Sequence, residues 1–294
     1  MTVDTIADPG EVTARLSGSG YLCDPDLATV VFLALRMQRP LLLEGEPGTG
    51  KTALAEALAG TLDLPLVRLQ CYEGIDATQA LYDWDFPRQV LHLRALEAAG
   101  GTGAVEEAEK SLYDERFLLA RPVLAALQQA PAVLLVDEVD RADDEFEAFL
   151  LEVLSTYQVS IPELGTVRAA EPPLVVLTSN RTRELHDALK RRCLYHWIDH
   201  PGLDREVEIV RTRQPEVSES LARQVVGVVQ QLRGDTGLLK PPGVAETLDW
   251  ARALHHLGCA DLDLETSART LGALVKYRED AERVRHALDR LLTS

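Results

Sequence analysis

The sequence predicts an α/β fold, a parallel five-stranded sheet with flanking helices, followed by a small all-α region. Three observations carry that prediction. Uninterrupted apolar runs such as Ala132–Val136 and Leu174–Leu177 read as strands buried on both faces of a parallel sheet. Segments of strand length alternate with helical ones up to about residue 200. Beyond Pro201 the apolar residues recur at helical spacing, as in Leu221, Val225, Val228 and Leu232, or Val284, Ala287, Leu288, Leu291 and Leu292.

In chain order, Asp24 is placed to cap an apolar helix that ends at Arg39-Pro40. A short strand, Leu41–Leu43, runs into a Gly-rich turn. Thr52–Ala59 is rich in helix formers, with Gly60 as a stop. Leu66–Cys71 reads as the second strand. The roughly 60 residues before Ala132 are too many for a plain crossover. They hold Tyr82, Trp84, Phe86, the flexible Gly100-Gly101-Thr102-Gly103, and Glu106-Glu107-Ala108-Glu109, which reads as a solvated helix face. A helix over Asp144–Thr156, a hairpin from Gln158–Ile161 and Thr166–Ala169, and strands at Leu174–Leu177 and Leu194–Ile198 follow. The expected division is an α/β domain over residues 1–200, with a long extra segment near 72–115, and a helical domain over 201–294.

The 294 residues, 46% of them hydrophobic, suffice for one large or two modest cores. Lys and Arg total 30 against 47 Asp and Glu, a formal net charge of −17. A nucleic-acid or anionic membrane surface calls for the opposite balance. The apolar stretch Leu27–Met37, broken by Arg36, is about half the roughly 20 residues needed to span a bilayer. The start, MTVDTIADPGEV, lacks the basic and apolar regions of a signal peptide. Cys23, Cys71, Cys193 and Cys259 lie far apart, with neither zinc nor disulfide spacing. His196 and His200 fall at i, i+4 but on a strand, so no metal pair is expected there. The expectation is a cytoplasmic globular protein without a membrane span.

Gly45-Glu46-Pro47-Gly48-Thr49-Gly50-Lys51-Thr52 matches the phosphate-binding loop in full, between a strand and a helix as that motif requires. Its glycines let backbone N–H groups converge on phosphate, and the following helix points its positive end at the same charge. Lys51 would reach the terminal phosphates and Thr52 would hold Mg²⁺. Leu134-Leu135-Val136-Asp137-Glu138 is a buried strand ending in two acids, with Asp137 suited to Mg²⁺ and Glu138 to act as general base. By itself such a pair would as readily cap the next helix; the phosphate loop favours the nucleotide role. Asn180, closing the strand that ends Thr178-Ser179-Asn180, is placed to orient water or sense a γ-phosphate, the other reading being a turn former. Lys190-Arg191-Arg192 offers arginines that stabilise phosphoryl charge, or simply balance a helix dipole.

The order GEPGTGKT, LLVDEVDRA, LTSN, DALKRRC, then a helical tail, resembles the AAA+ ATPases of the P-loop NTPase fold over residues from about 20 to 294. The stretch DEVDRADDEFEAFLLEVLSTYQVSIPELGTVRA is similar to the MoxR group. LHDALKRRCLYHWID is similar to its CoxD-like branch, associated with maturation of molybdenum-containing carbon monoxide dehydrogenase and related hydroxylases. The resemblance implies ATP and Mg²⁺ as cofactors, with Lys51, Thr52, Asp137 and Glu138 in the roles above and Asn180 as sensor. Arg192, with Arg191 second, would be the finger entering the adjacent subunit's site.

The same resemblance implies a ring, usually hexameric, that remodels a client protein. A molybdenum hydroxylase is one such client, and a protein with a von Willebrand A-type domain is an expected partner. The resemblance also implies that residues 1–200 form the nucleotide-binding domain, with 201–294 as the lid, and that the segment near 72–115 is a helical insertion, whose Tyr82, Trp84 and Phe86 would contact a client or pack on the parent sheet. One segment departs from the family. The Arg expected near the start of a lid helix is absent from Leu239–Val244, where Lys240 would substitute as a point charge rather than a fork. The rival function, a nucleotide-gated loader or regulator on nucleic acid, lacks a basic arm or helix-turn-helix to support it.

Overall fold

The computed structural model describes residues 6–98, 111–234 and 237–293. The predicted flexible Gly100–Gly103 and the acidic Glu106–Glu109 lie outside these residues. Helices α1 (Pro9–Gly18) and α2 (Pro25–Met37) precede strand β1 (Leu41–Gly45), α3 (Lys51–Leu62) and β2 (Leu66–Gln70). Next come α4 (Ala77–Leu81), β3 (Tyr82–Trp84), α5 (Phe86–Ala98), β4 (Leu118–Ala120) and α6 (Pro122–Gln128). Then follow β5 (Val133–Asp137), α7 (Asp144–Thr156), β6 (Gln158–Ile161), β7 (Gly165–Arg168), β8 (Leu174–Ser179), α8 (Asp187–Arg192) and β9 (Leu194–Ile198). The chain closes with α9 (Leu203–Arg213), α10 (Glu219–Gly234), α11 (Val244–His256), α12 (Leu264–Leu274) and α13 (Arg278–Thr293).

Five strands form one parallel sheet in the order β2-β5-β8-β1-β9. Gln70 stands opposite Asp137, and Val136 opposite Leu177, so β2, β5 and β8 end together. Every residue of β1 and β5 is buried, the apolar runs Leu41–Leu43 and Val133–Val136 together with the polar ends Glu44 and Asp137. β2 is an edge strand, and Arg68 and Gln70 are exposed on it.

The predicted β6–β7 hairpin is present. β3, inside the segment read as a helical insertion, pairs with β4 just beyond it in a second antiparallel ribbon. Three residues per strand carry too little alternation to reveal it. Gly60 does not stop α3, which runs on to Leu62. Asp63 instead takes the left-handed φ of 55° and Leu64 N–H returns to the Ala59 carbonyl at 3.0 Å, closing the helix in the way a glycine normally does.

The chain divides into two compact units. One comprises Met1–Val12, Pro25–Leu43 and Leu58–His196, and its core packs Leu42, Leu134, Val136, Val175 and Leu177 with Phe146 and Leu150 of α7. The other comprises Thr13–Asp24, Glu44–Ala57 and Trp197–Ser294, around Val210, Val225, Val229, Trp250, Leu254 and Leu288. The phosphate-loop segment thus groups with the helical region.

Within this second unit Glu206 is wholly buried. It is tolerated because Arg233 Nη1 and Nη2 (2.6 and 2.7 Å), Gln230 Nε2 (2.7 Å) and Thr247 Oγ1 (2.7 Å) all donate to it. Among the described residues no helix is long and apolar enough to cross a membrane.

Candidate functional site

The loop Gly45–Thr52 links β1 to α3, and each glycine has its own reason. A Cβ on Gly45 would stand 2.4 Å from the Ile198 carbonyl oxygen. Gly48 and Gly50 hold φ of 81° and 95°, which costs other residues about 1 kcal/mol or more. The resulting curl precedes a helix N-terminus, whose dipole favours an anion. Thr49 Oγ1 donates to the Glu46 carbonyl at 3.0 Å. Lys51 is buried, its Nζ donating to the carbonyls of Gly45 (2.8 Å) and Glu46 (2.7 Å). Thr52 is half-buried in the first turn of α3, and the exposed Pro47 forms the crest of the loop.

His200 Nε2 stands 3.7 Å from Glu46 Oε2, while its Nδ1 is buried without a hydrogen-bond partner. Burial, and then the nearby Arg233, lower its pKa and keep the imidazole neutral. Among the described residues no group of three or more His, Cys, Asp or Glu is placed to hold a metal ion, and His196 lies half-buried on β9.

The second cluster gathers at the carboxyl ends of β2, β5 and β8. Asp137 is 3% exposed. Its Oδ1 accepts from Thr178 Oγ1 at 2.6 Å and its Oδ2 from Arg68 Nη2 at 2.5 Å. Glu138 takes a left-handed φ of 55°, uncommon for a side chain of its size. Its N–H donates to Thr178 Oγ1 at 2.9 Å. Its carboxylate accepts from Gln70 Nε2 (3.2 Å) and Asn180 Nδ2 (3.3 Å) and pairs with Arg141 Nε (2.9 Å).

Beneath these, buried Asp140 accepts from the Asn180 N–H at 3.3 Å and from the Thr182 N–H and hydroxyl at 2.8 and 2.7 Å. Cys71 follows β2; burial, then Asp137, Asp140 and Glu138, push its thiol up to about 12, which leaves it unreactive. Sequence reasoning brought Asp137, Glu138 and Asn180 together but missed Arg68, Gln70 and Arg141 around them. The available signal was the i, i+2 pair Arg68 and Gln70 on one face of an edge strand.

Arg191 and Arg192 close α8 with exposed side chains. Arg39 holds the main chain behind them, donating to the carbonyls of Arg191 (2.7 Å), Arg192 (3.1 Å) and Cys193 (3.4 Å). At the other end of the helix, His186 N–H donates to Glu147 Oε2 at 2.8 Å, and Arg183 pairs with the same buried carboxylate. Lys190 pairs with Glu184 at 2.7 Å.

Lys240 is exposed, its N–H held by Asp280 Oδ2 at 3.1 Å. Tyr82 and Trp84 stack edge to face, 6.1 Å apart, against the core of the first unit, whereas Phe86 is 61% exposed. The Thr52 hydroxyl and the Asp137 carboxylate are hard oxygen donors of the kind Mg²⁺ takes.

Residues 40–193 match the family of AAA domains, dynein-related subfamily. The chain belongs to that AAA family. AAA domains use ATP, typically with Mg²⁺, and typically assemble into rings. This AAA chain is 27% identical over 157 residues to the mouse nuclear valosin-containing protein-like, covering 52% of the chain and only 14% of the mouse protein. It is 24% identical over 204 residues to an uncharacterised protein of Staphylococcus epidermidis, covering 67% of the chain and 70% of that protein. A solved RuvB of Thermotoga maritima aligns over 98% of the chain and 79% of its own, at a TM-score of 0.47 and 16% identity.

Proposed function

We propose that this AAA chain is a Mg²⁺-dependent ATPase that works as a ring, a hexamer in the manner of its family, and remodels a client protein. The finer reading is a MoxR-type enzyme of the CoxD-like branch, acting in maturation of a metalloenzyme such as a molybdenum hydroxylase beside a von Willebrand A-type partner. Residues 1–200 supply the nucleotide-binding domain and 201–294 the lid. The observation that carries the ATPase reading is the pair Asp137 and Glu138, the first oriented by Thr178 and the second by the amides of Gln70 and Asn180.

In this reading the N–H groups of Gly48 to Thr52 cradle the phosphates, and Lys51 exchanges its two loop carbonyls for phosphate oxygens. The Thr52 hydroxyl and the Asp137 carboxylate would hold Mg²⁺, which when bound would neutralise phosphate charge. Glu138 takes a proton from the attacking water while Asn180 keeps the carboxylate and water aligned. Arg192, seconded by Arg191, reaches the neighbouring subunit's nucleotide, and Lys240 supplies a cation from the lid.

The test is a pair of substitutions. Lys51→Ala abolishes nucleotide binding, and Glu138→Gln keeps binding but stops turnover. Hydrolysis by Glu138→Gln at the wild-type rate would show that the base is assigned wrongly.

A further inference from the structure

Gly243 precedes α11 and caps it, with φ −83° and ψ −175°. Any residue adopts that conformation, and Ser, Thr, Asp or Asn caps a helix at least as well. What demands glycine here is space. A Cβ at this position would stand 2.9 Å from the Pro47 carbonyl oxygen and 3.0 Å from Gly48 Cα, both in the phosphate loop. The close approach lets the next N–H, that of Val244, donate to the Gly48 carbonyl at 3.0 Å.

The strip Pro242–Val244 is itself held firmly. Arg233 Nε donates to the Pro242 carbonyl at 2.7 Å while its fork grips the buried Glu206. Thr247 Oγ1 bonds Glu206 at 2.7 Å and the Gly243 carbonyl at 3.1 Å, and Gly243 N–H returns to Glu246 Oε2 at 3.0 Å. The loop therefore leans on a fixed edge of the helical unit.

We infer that Gly243 and Val244 are positioning residues that hold the phosphate loop in its binding conformation through the Val244 N–H to Gly48 carbonyl bond. The inference rests on the reading of this loop as the nucleotide site. Gly48 sits at φ 81°, one of the turns that aim the loop's N–H groups, and fixing its carbonyl lowers the cost of ordering the cradle when phosphate arrives. Because the contact is main chain to main chain, it does not count phosphates. It acts alike on ATP and ADP, unlike a side chain that reaches a γ-phosphate.

Val244→Pro removes the donor and sets its ring Cδ against the Gly48 carbonyl, so it breaks the bond and pushes the loop off this edge. Proline suits the first position of a helix, and the extended ψ of Gly243 suits the residue before a proline. Val244→Ala keeps the N–H and controls for the lost side chain. Dissociation constants for fluorescent ATP and ADP analogues are titrated on the full chain, with thermal unfolding of each variant alongside. Val244→Pro should weaken both nucleotides at least about fivefold, the worth of the lost hydrogen bond alone, while Val244→Ala stays near wild type. Gly243→Ala should weaken both at least as much, and it carries the test if the proline variant does not fold.

A folded Val244→Pro that binds both nucleotides like Val244→Ala overturns the inference. So does a loss confined to ATP. If the wild type binds neither nucleotide, the nucleotide reading of the loop fails first. Binding by the wild type that Lys51→Ala abolishes separates the two cases.

Discussion

The Thr178 hydroxyl donates to the Asp137 carboxylate at 2.6 Å and accepts the Glu138 N–H at 2.9 Å. One buried side chain on β8 thus orients the carboxylate that ends β5 and pins the left-handed residue after it. Thr178→Val keeps the shape and deletes both bonds. It should destabilise the fold by about 1–3 kcal/mol, the cost of stranding buried polar groups. ATP turnover should fall at least about tenfold with nucleotide affinity little changed, in line with the loss of general-base alignment. Urea denaturation and steady-state hydrolysis measure the two effects separately.

Asn180 donates its amide to Glu138 while its own N–H is held by Asp140. Asn180→Ala should lower turnover and leave nucleotide binding intact. Asn180→Asp should be worse, because it sets a like charge against the carboxylate it replaces as donor. Wild-type turnover in Asn180→Ala, measured at saturating ATP, would remove Asn180 from the hydrolytic group.

Arg39 spans three carbonyls at the end of α8, directly behind Arg191 and Arg192. Losing an arginine finger typically costs on the order of 10³ in turnover, and Arg192→Ala should approach that while each subunit still binds ATP. Arg39→Ala should give a smaller loss of the same kind, about tenfold, through misplacement of the finger. Mixing Arg192→Ala with Lys51→Ala subunits should recover part of the activity. Mixed rings without recovery would count against action between subunits.

Burial pushes the thiols of Cys71 and Cys193 up to about 12. Both are protonated in folded and unfolded chains below the ordinary value of 9, so they leave stability unchanged there. Between pH 9 and 12 the unfolded chain loses these protons while the folded one keeps them, so stability falls as pH rises. Urea midpoints at increasing pH should show that decline. Alkylation of the native protein at neutral pH should mark the less buried Cys259 and spare Cys71 and Cys193 until unfolding.

Much of this architecture was legible because its signals are local. The bounds of α7 follow from apolar spacing and from Asp143, whose side chain accepts the Phe146 N–H at 2.9 Å. The phosphate loop is eight consecutive residues. The supports of the site are not local. Arg39 meets α8 from 152 residues away, and Arg68 reaches Asp137 across 69. Neither side chain announces its target, since an arginine near a surface is ordinary. Gly243 was silent for a different reason: a glycine before a helix suggests conformational freedom, whereas here it makes room for the loop.

The most direct test of the central claim measures ATP turnover per subunit and molar mass on the same samples, across protein concentration, with and without Mg²⁺. The account predicts Mg²⁺-dependent turnover that rises as subunits assemble into a ring. A monomer that hydrolyses ATP equally well at every concentration, or a ring that hydrolyses none, would contradict it.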